Sequence, residues 1–130
     1  DFDLTNIIDF DNGIPGFEEL SKFIILPLKE YPPFQVFQSL EAPPIAMFVI
    51  PIHYFESKQE IKIDKVDLEQ IEAKSQDDTN VYFVIKMSQE EKKFTANTKA
   101  PIVINPKILK GSQIILDNPN LQIEHPLDLA

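Results

Sequence analysis

The 130-residue sequence has no cysteine and no arginine, and only three glycines and two histidines. Each shortage removes a class of chemistry. Without cysteine there are no disulfides, thiolate metal ligands or thiol nucleophiles, a composition compatible with a reducing compartment. All twelve basic residues are lysine, against twenty-one Asp and Glu, so the net charge is −9. Nucleic-acid binding rests on neutralising phosphates and, at guanine edges, on the bidentate guanidinium fork. An acidic chain without arginine matches neither need. Three glycines leave no glycine-rich loop to cradle a phosphate. His53 and His125 stand at no metal-ligand spacing, and Ser39 and Ser112 lack a Gly-x-Ser-x-Gly setting. The longest apolar run, residues 42–52, is eleven residues long and contains Pro43, Pro44 and Pro51, whereas a membrane helix needs about 20. The chain begins Asp-Phe-Asp, with no basic-plus-apolar leader and no Met, so a few residues are expected ahead of it. The expectation is a soluble protein without cofactor or metal.

What is present argues for a folded core. Hydrophobic residues make up 43% of the chain and ten are phenylalanine, well outside the range of disordered sequences. The length suits one domain over 1–130, since a split near residue 58 leaves neither half enough strands.

Strand signals dominate the order of the chain. Residues 4–10 alternate imperfectly and end in the turn Asp11-Asn12-Gly13. Pro15-Gly16 suits the centre of a type II turn, and residues 17–20 read as one short helical turn. Residues 22–28 and 34–40 read as strands separated by Tyr31-Pro32-Pro33. Residues 45–50 form a continuous apolar strand, expected to be covered on both faces. The one convincing helix lies near residues 65–74, with Asp64 as N-cap and Leu68 and Ile71 on one face; so short a helix needs to pack on the sheet or plug an open end. Residues 81–87 give the strongest strand signal, and residues 88–93 read as a hairpin loop whose return strand starts at Phe94. Residues 102–104 and 112–116 read as two more strands, with a short last one around Leu121 and Ile123. About eight or nine short strands and one helix, without βαβ alternation, predict a mostly β fold, a small antiparallel barrel or sandwich. Adjacent acids at Glu18-Glu19, Asp77-Asp78 and Glu90-Glu91 face opposite sides of an extended chain, so they read as solvated turn residues rather than acid–base pairs.

The stretch Thr95-Ala-Asn-Thr-Lys-Ala-Pro-Ile-Val-Ile-Asn105 is the most distinctive. Pro101 lacks an N–H and fixes φ, Ala100 is pushed towards extended backbone, and Ile102, Val103 and Ile104 suit a buried strand. It reads as a bend followed by a strand.

Together with Asn12-Gly13-Ile14-Pro15-Gly16-Phe17-Glu18, Phe34-Gln35-Val36-Phe37-Gln38-Ser39-Leu40 and Gly111-Ser112-Gln113-Ile114-Ile115-Leu116, this stretch resembles the FliW family of flagellar assembly factors along nearly the whole chain. One departure is Thr98, where the family usually carries leucine. The resemblance implies a cytoplasmic bacterial protein with a small β-barrel-like fold and no catalytic activity. It implies binding to flagellin, chaperone-like, and to the translational repressor CsrA, with the repressor held off flagellin mRNA, allosterically, until flagellin takes the protein away. It further implies no direct nucleic-acid contact, no membrane, and a monomer when unbound. The expected partner contacts are Thr95, Asn97, Thr98 and Asn105, with Pro15, Phe17 and Gln38, while Ile102, Val103 and Ile104 belong to the core. Two other classes fit the residues: a ligand-binding or enzymatic barrel, which calls for a deep polar pocket with a perturbed carboxylate, and an acidic RNA mimic acting on CsrA directly, which calls for a contiguous acidic stripe.

Overall fold

The strands of this protein close on themselves. A computed structural model describes residues 6–54, 61–88 and 93–127. In chain order it contains β1 (Ile8–Asp9), β2 (Lys22–Pro27), β3 (Gln35–Ser39), β4 (Ala46–Pro51), α1 (Lys65–Gln70), β5 (Asn80–Ser88), β6 (Lys93–Asn105), β7 (Lys110–Gln113) and β8 (His125–Pro126). The sheet runs β5-β4-β3-β2-β1-β7-β6-β8, and β5 also pairs with β6. Seven strands therefore make a closed ring, and β8 is added beside the first half of β6. The expected mostly β barrel with one short helix is what forms. All its pairings are antiparallel except β1 with β7, which meet in parallel at Asp9 and Lys110.

Period-two alternation divides the apolar residues between two layers. One set fills the barrel: Phe10, Phe23, Phe37, Val49, Ile102 and Ile104, with Tyr82 and Val84 packed against them. At its centre the Phe23 and Phe37 rings stack at 4.4 Å, and Phe10 meets both edge-on at 5.2 and 5.1 Å. The alternate residues of β5 and β6 point outward and are buried as well. Val81 and Val103 pack with Ile63, Leu68, Ile71, Ile114 and Leu116, and Phe83 and Ile85 pack with Ile50 and Ala96. The α1 segment thus lies over the outer face of β5 and β6. Each large apolar side chain so buried contributes about 1.5–3 kcal/mol, which is how a six-residue helix persists.

Several boundaries differ from the sequence reading, each for an identifiable reason. The helix ends at Gln70 rather than 74, because Glu72 takes a φ of +55° and Ala73 N–H bonds back to the Leu68 carbonyl at 2.9 Å. Asp64 occupies the N-cap position but makes no side-chain cap bond. Residues 45–50 are not covered on both faces: among the described residues no outer layer lies over Phe48, which stays 52% exposed. The bend and strand predicted across 95–105 are one strand, β6. Tyr82 pairs with Ile102 but Val84 pairs with Asn97, so residues 98–101 bulge opposite Phe83 and absorb Pro101 without ending the strand. Residues 17–20 form a turn closed by Leu20 N–H on the Phe17 carbonyl at 3.1 Å rather than a helical turn. The last strand is β8, and Leu121 is a core residue ahead of it. Of the predicted 4–10 strand only β1 is present among the described residues, and Leu4 and Thr5 lie outside them, as do residues 89–92 of the predicted hairpin loop with Glu90-Glu91.

Candidate partner-binding surface

Pro15 and Phe17 sit on a stiff projection. Phe17 N–H donates to the Ile14 carbonyl at 2.8 Å and Gly16 has a φ of +89°, the type II turn that Pro-Gly dictates. Glu18 Oε2 accepts from Gly16 N–H at 2.8 Å, and Ile14, buried, anchors the turn in the barrel. Pro15 is exposed and the Phe17 ring is 36% exposed. An aromatic ring held by a fixed turn gives contact area at little entropic cost.

The polar residues singled out from sequence hold the chain's own backbone. Gln38 Nε2 donates to the Ser39 and Pro43 carbonyls at 3.0 and 2.6 Å. Asn97 Oδ1 accepts from Lys99 and Ala100 N–H at 3.1 and 3.0 Å and so shapes the β6 bulge. Thr98, 1% exposed, accepts from Gln122 N–H at 3.0 Å and donates to the Gln122 carbonyl at 3.2 Å. A leucine cannot make this pair of bonds, which ties residue 122 to β6. Asn105, 5% exposed, donates to the Ile71 and Glu72 carbonyls at 3.0 and 3.3 Å and accepts from Lys107 N–H at 3.1 Å. Thr95 is half-buried, with its hydroxyl 3.5 Å from the Lys86 carbonyl. Thr95 and Asn105 stand ten positions apart on one strand, on the order of 30 Å if fully extended, so the seven residues do not gather into one patch.

Next to Gln38, the Ser39 hydroxyl accepts from Glu41 and Ala42 N–H at 3.2 and 2.9 Å. The Glu41 carboxylate accepts from Ser21 and Lys22 N–H at 2.6 and 2.9 Å. These backbone bonds, above all that from Ser21, hold the Glu41 carboxyl below its ordinary 4.5. A carboxyl depressed by folding stabilises the fold above its unfolded value and loses that contribution as pH falls through the folded one. Acid unfolding followed by circular dichroism should therefore show a component below pH 4.5 that is absent in Glu41→Ala.

Two surface features escaped sequence reading. Phe48 and Met87, 52% and 50% exposed, lie on the outer face of β4 and β5, where Phe48 pairs with Ile85. In an all-apolar run such as 45–50, burial on one face and exposure on the other leave no polar alternation to see. A cleft of about 520 Å³ is lined by Gln35, His53, Tyr54, Asp77, Asn80 and Tyr82, among others. Burial there pushes the Tyr82 phenol above 10.0. Among the described residues, no three His, Asp or Glu side chains gather to hold a metal.

The closed barrel and the helix over its outer face define a small β-barrel protein. The chain matches the family model described as FliW protein over residues 1–127. It is 35% identical to the flagellar assembly factor FliW of Clostridium botulinum (strain Okra) over 127 residues, covering 98% of this chain and 89% of that one. It is 38% identical to that of Geobacillus sp. (strain WCH70), covering 98% and 88%. A crystal structure of the flagellar assembly factor FliW superimposes with a TM-score of 0.89 at 32% identity, covering all of this chain and 91% of the other. The chain belongs to the FliW family of flagellar assembly factors.

Proposed function

We propose that this protein is a cytoplasmic, non-catalytic flagellar assembly factor that binds flagellin as a chaperone and binds the repressor CsrA. By holding CsrA at a site apart from the RNA surface, and so allosterically, it relieves repression of flagellin translation. Flagellin accumulation withdraws the protein and restores repression. The observation that carries this reading is the match to flagellar assembly factors over the whole chain. Physical features support it. A −9 surface suits a basic partner and raises encounter rates, and exchange between two partners needs moderate affinities set by dissociation. The protein is monomeric before it binds, uses no cofactor, and touches neither nucleic acid nor membrane.

The contact residues proposed are Pro15 and Phe17 directly, with Thr95, Asn97 and Gln38 shaping the backbone of their own segments. Thr98 and Asn105 act from beneath, through the segments they hold. The test is a pull-down with flagellin and with CsrA, separately and in competition. Phe17→Ser should weaken at least one partner about tenfold or more, as loss of an anchoring aromatic does. Asn97→Asp keeps the acceptor oxygen that forms the bulge, so its thermal midpoint should hardly move, while loss of the amide NH2, which the bulge does not use, should weaken binding. Binding of the unmodified protein to neither partner would sink the reading.

A further inference from the structure

Among the described residues, the free side of β7 and of its extended continuation to Leu116 is an unused strand edge. In the ladder with β6, Ile114 N–H donates to the Pro101 carbonyl at 3.0 Å and Leu116 N–H to the Lys99 carbonyl at 2.7 Å. Antiparallel strands alternate the direction of their peptide groups, so the N–H and C=O of Gln113 and Ile115 point away from β6. On that side, among the described residues, β7 meets β1 through the single pair Asp9 and Lys110, and the chain then leaves β1 for the turn at residues 11–13. Among the described residues no backbone carbonyl accepts from Ile115 N–H. The Ile115 side chain is also exposed.

The same edge ends in a charged cleft. A space of about 280 Å³ opens at Ile115, lined by Lys62, Asp64, Asp67, Asp117 and Asn118, among others. Three carboxylates face one ammonium. Two copies of this edge pairing with each other would bring two such clefts together on chains that each carry −9, which like-charge repulsion opposes. A positively charged strand meets no such penalty.

We infer that the β7 edge takes up an extended segment of a protein partner as an added strand, and that a lysine or arginine of that segment enters the cleft of Asp64, Asp67 and Asp117. Main-chain hydrogen bonds supply affinity in such β-augmentation, and the side-chain pocket supplies selectivity. The inference deepens the partner-binding reading above and rests on it for the partner's nature.

The test has two arms. In the first, isotope-labelled protein is titrated with a synthetic peptide of about ten residues that alternates valine with lysine and threonine, enough to span a strand. Amide resonances of Gln113, Ile115 and Asp117 should shift. A glutamate-for-lysine version, and a version N-methylated at alternate residues, should bind at least about tenfold more weakly. In the second arm Ile115→Pro removes only the outward N–H, since the bonds of Ile114 and Leu116 to β6 are untouched, and Ile115→Thr keeps it. Flagellin or CsrA affinity should fall about tenfold in the proline variant and hold in the threonine variant. Equal binding by both variants overturns the edge and leaves the partner reading standing. If the unmodified protein binds neither partner, that reading falls, and the peptide arm, which needs no variant to fold, decides the edge alone. A lysine peptide that shifts none of the three amides, or one that the glutamate version matches, overturns it.

Discussion

Asn105→Asp should cost about 3 kcal/mol of folding stability at neutral pH, although the side chain barely changes size. The native amide donates to two carbonyls, those of Ile71 and Glu72, from a buried position. These are among the carbonyls left over where α1 ends, and Asn105 is what satisfies them. A carboxylate there has no proton to donate and faces two negative dipoles. Its proton should be held well above the ordinary value of about 3.9. The sign follows: a carboxyl raised in the folded state favours folding when protonated, so the deficit is present in full at neutral pH and shrinks as pH falls through the raised value. Thermal unfolding should show a midpoint lowered by on the order of 10 °C at pH 7, with a smaller gap in acid. A gap independent of pH would mean that Asn105 acts by packing alone.

Gly13→Ala should be at least as damaging, at about 3 kcal/mol or more. Gly13 has a φ of +64°, and a Cβ built there lies 2.6 Å from Glu18 Cα, the Glu18 carbonyl oxygen and the Phe17 carbonyl oxygen. Left-handed backbone alone costs an alanine about 1–2 kcal/mol, and backbone atoms cannot step aside as the end of a flexible side chain can. Gly16 is the internal control. Its φ is +89°, but a Cβ there meets nothing within 4 Å, so Gly16→Ala should lose only about the conformational cost. Denaturant midpoints of the two variants, compared at equal slope, separate steric from torsional loss. The same comparison reports on the projection that carries Phe17, since Gly13 lets the chain close tightly against residues 17 and 18.

These two positions illustrate how differently residues disclose themselves. Gly13 was legible as a turn residue because Asp-Asn-Gly is a local signal; that it must be glycine for want of space was not, because the crowding atoms come from residues 17 and 18 folding back. Asn105 looked like the polar end of a strand and a partner contact. Its actual bonds reach carbonyls more than thirty positions earlier in the chain, and no local pattern encodes them. The Thr98 hydroxyl likewise bonds a distant residue, Gln122. Lys110 is similar: Glu72 at 2.7 Å and Asp11 at 3.5 Å bring the helix end and the first turn to one ammonium, and the Glu72 hydrogen bond is the main reason its pKa is raised.

By itself, the sequence determined what depends on neighbours along the chain. The missing cysteines and arginines excluded their chemistry, the β-branched and aromatic runs set the strands, Pro-Gly set the turn before Phe17, and the blocks of motif identified the family. Tertiary structure alone decided the barrel's closure through β1 and β7, the single long β6 with its bulge, the helix lying over β5 and β6, and the exposure of Phe48 against the burial of Thr98. The physical reason is that burial and hydrogen-bond partnership belong to pairs of segments rather than to residues. Ile45 to Ile50 has the same apolar side chains whichever face is covered, and only the course of residues 61–73 determines that the cover falls on β5 and β6.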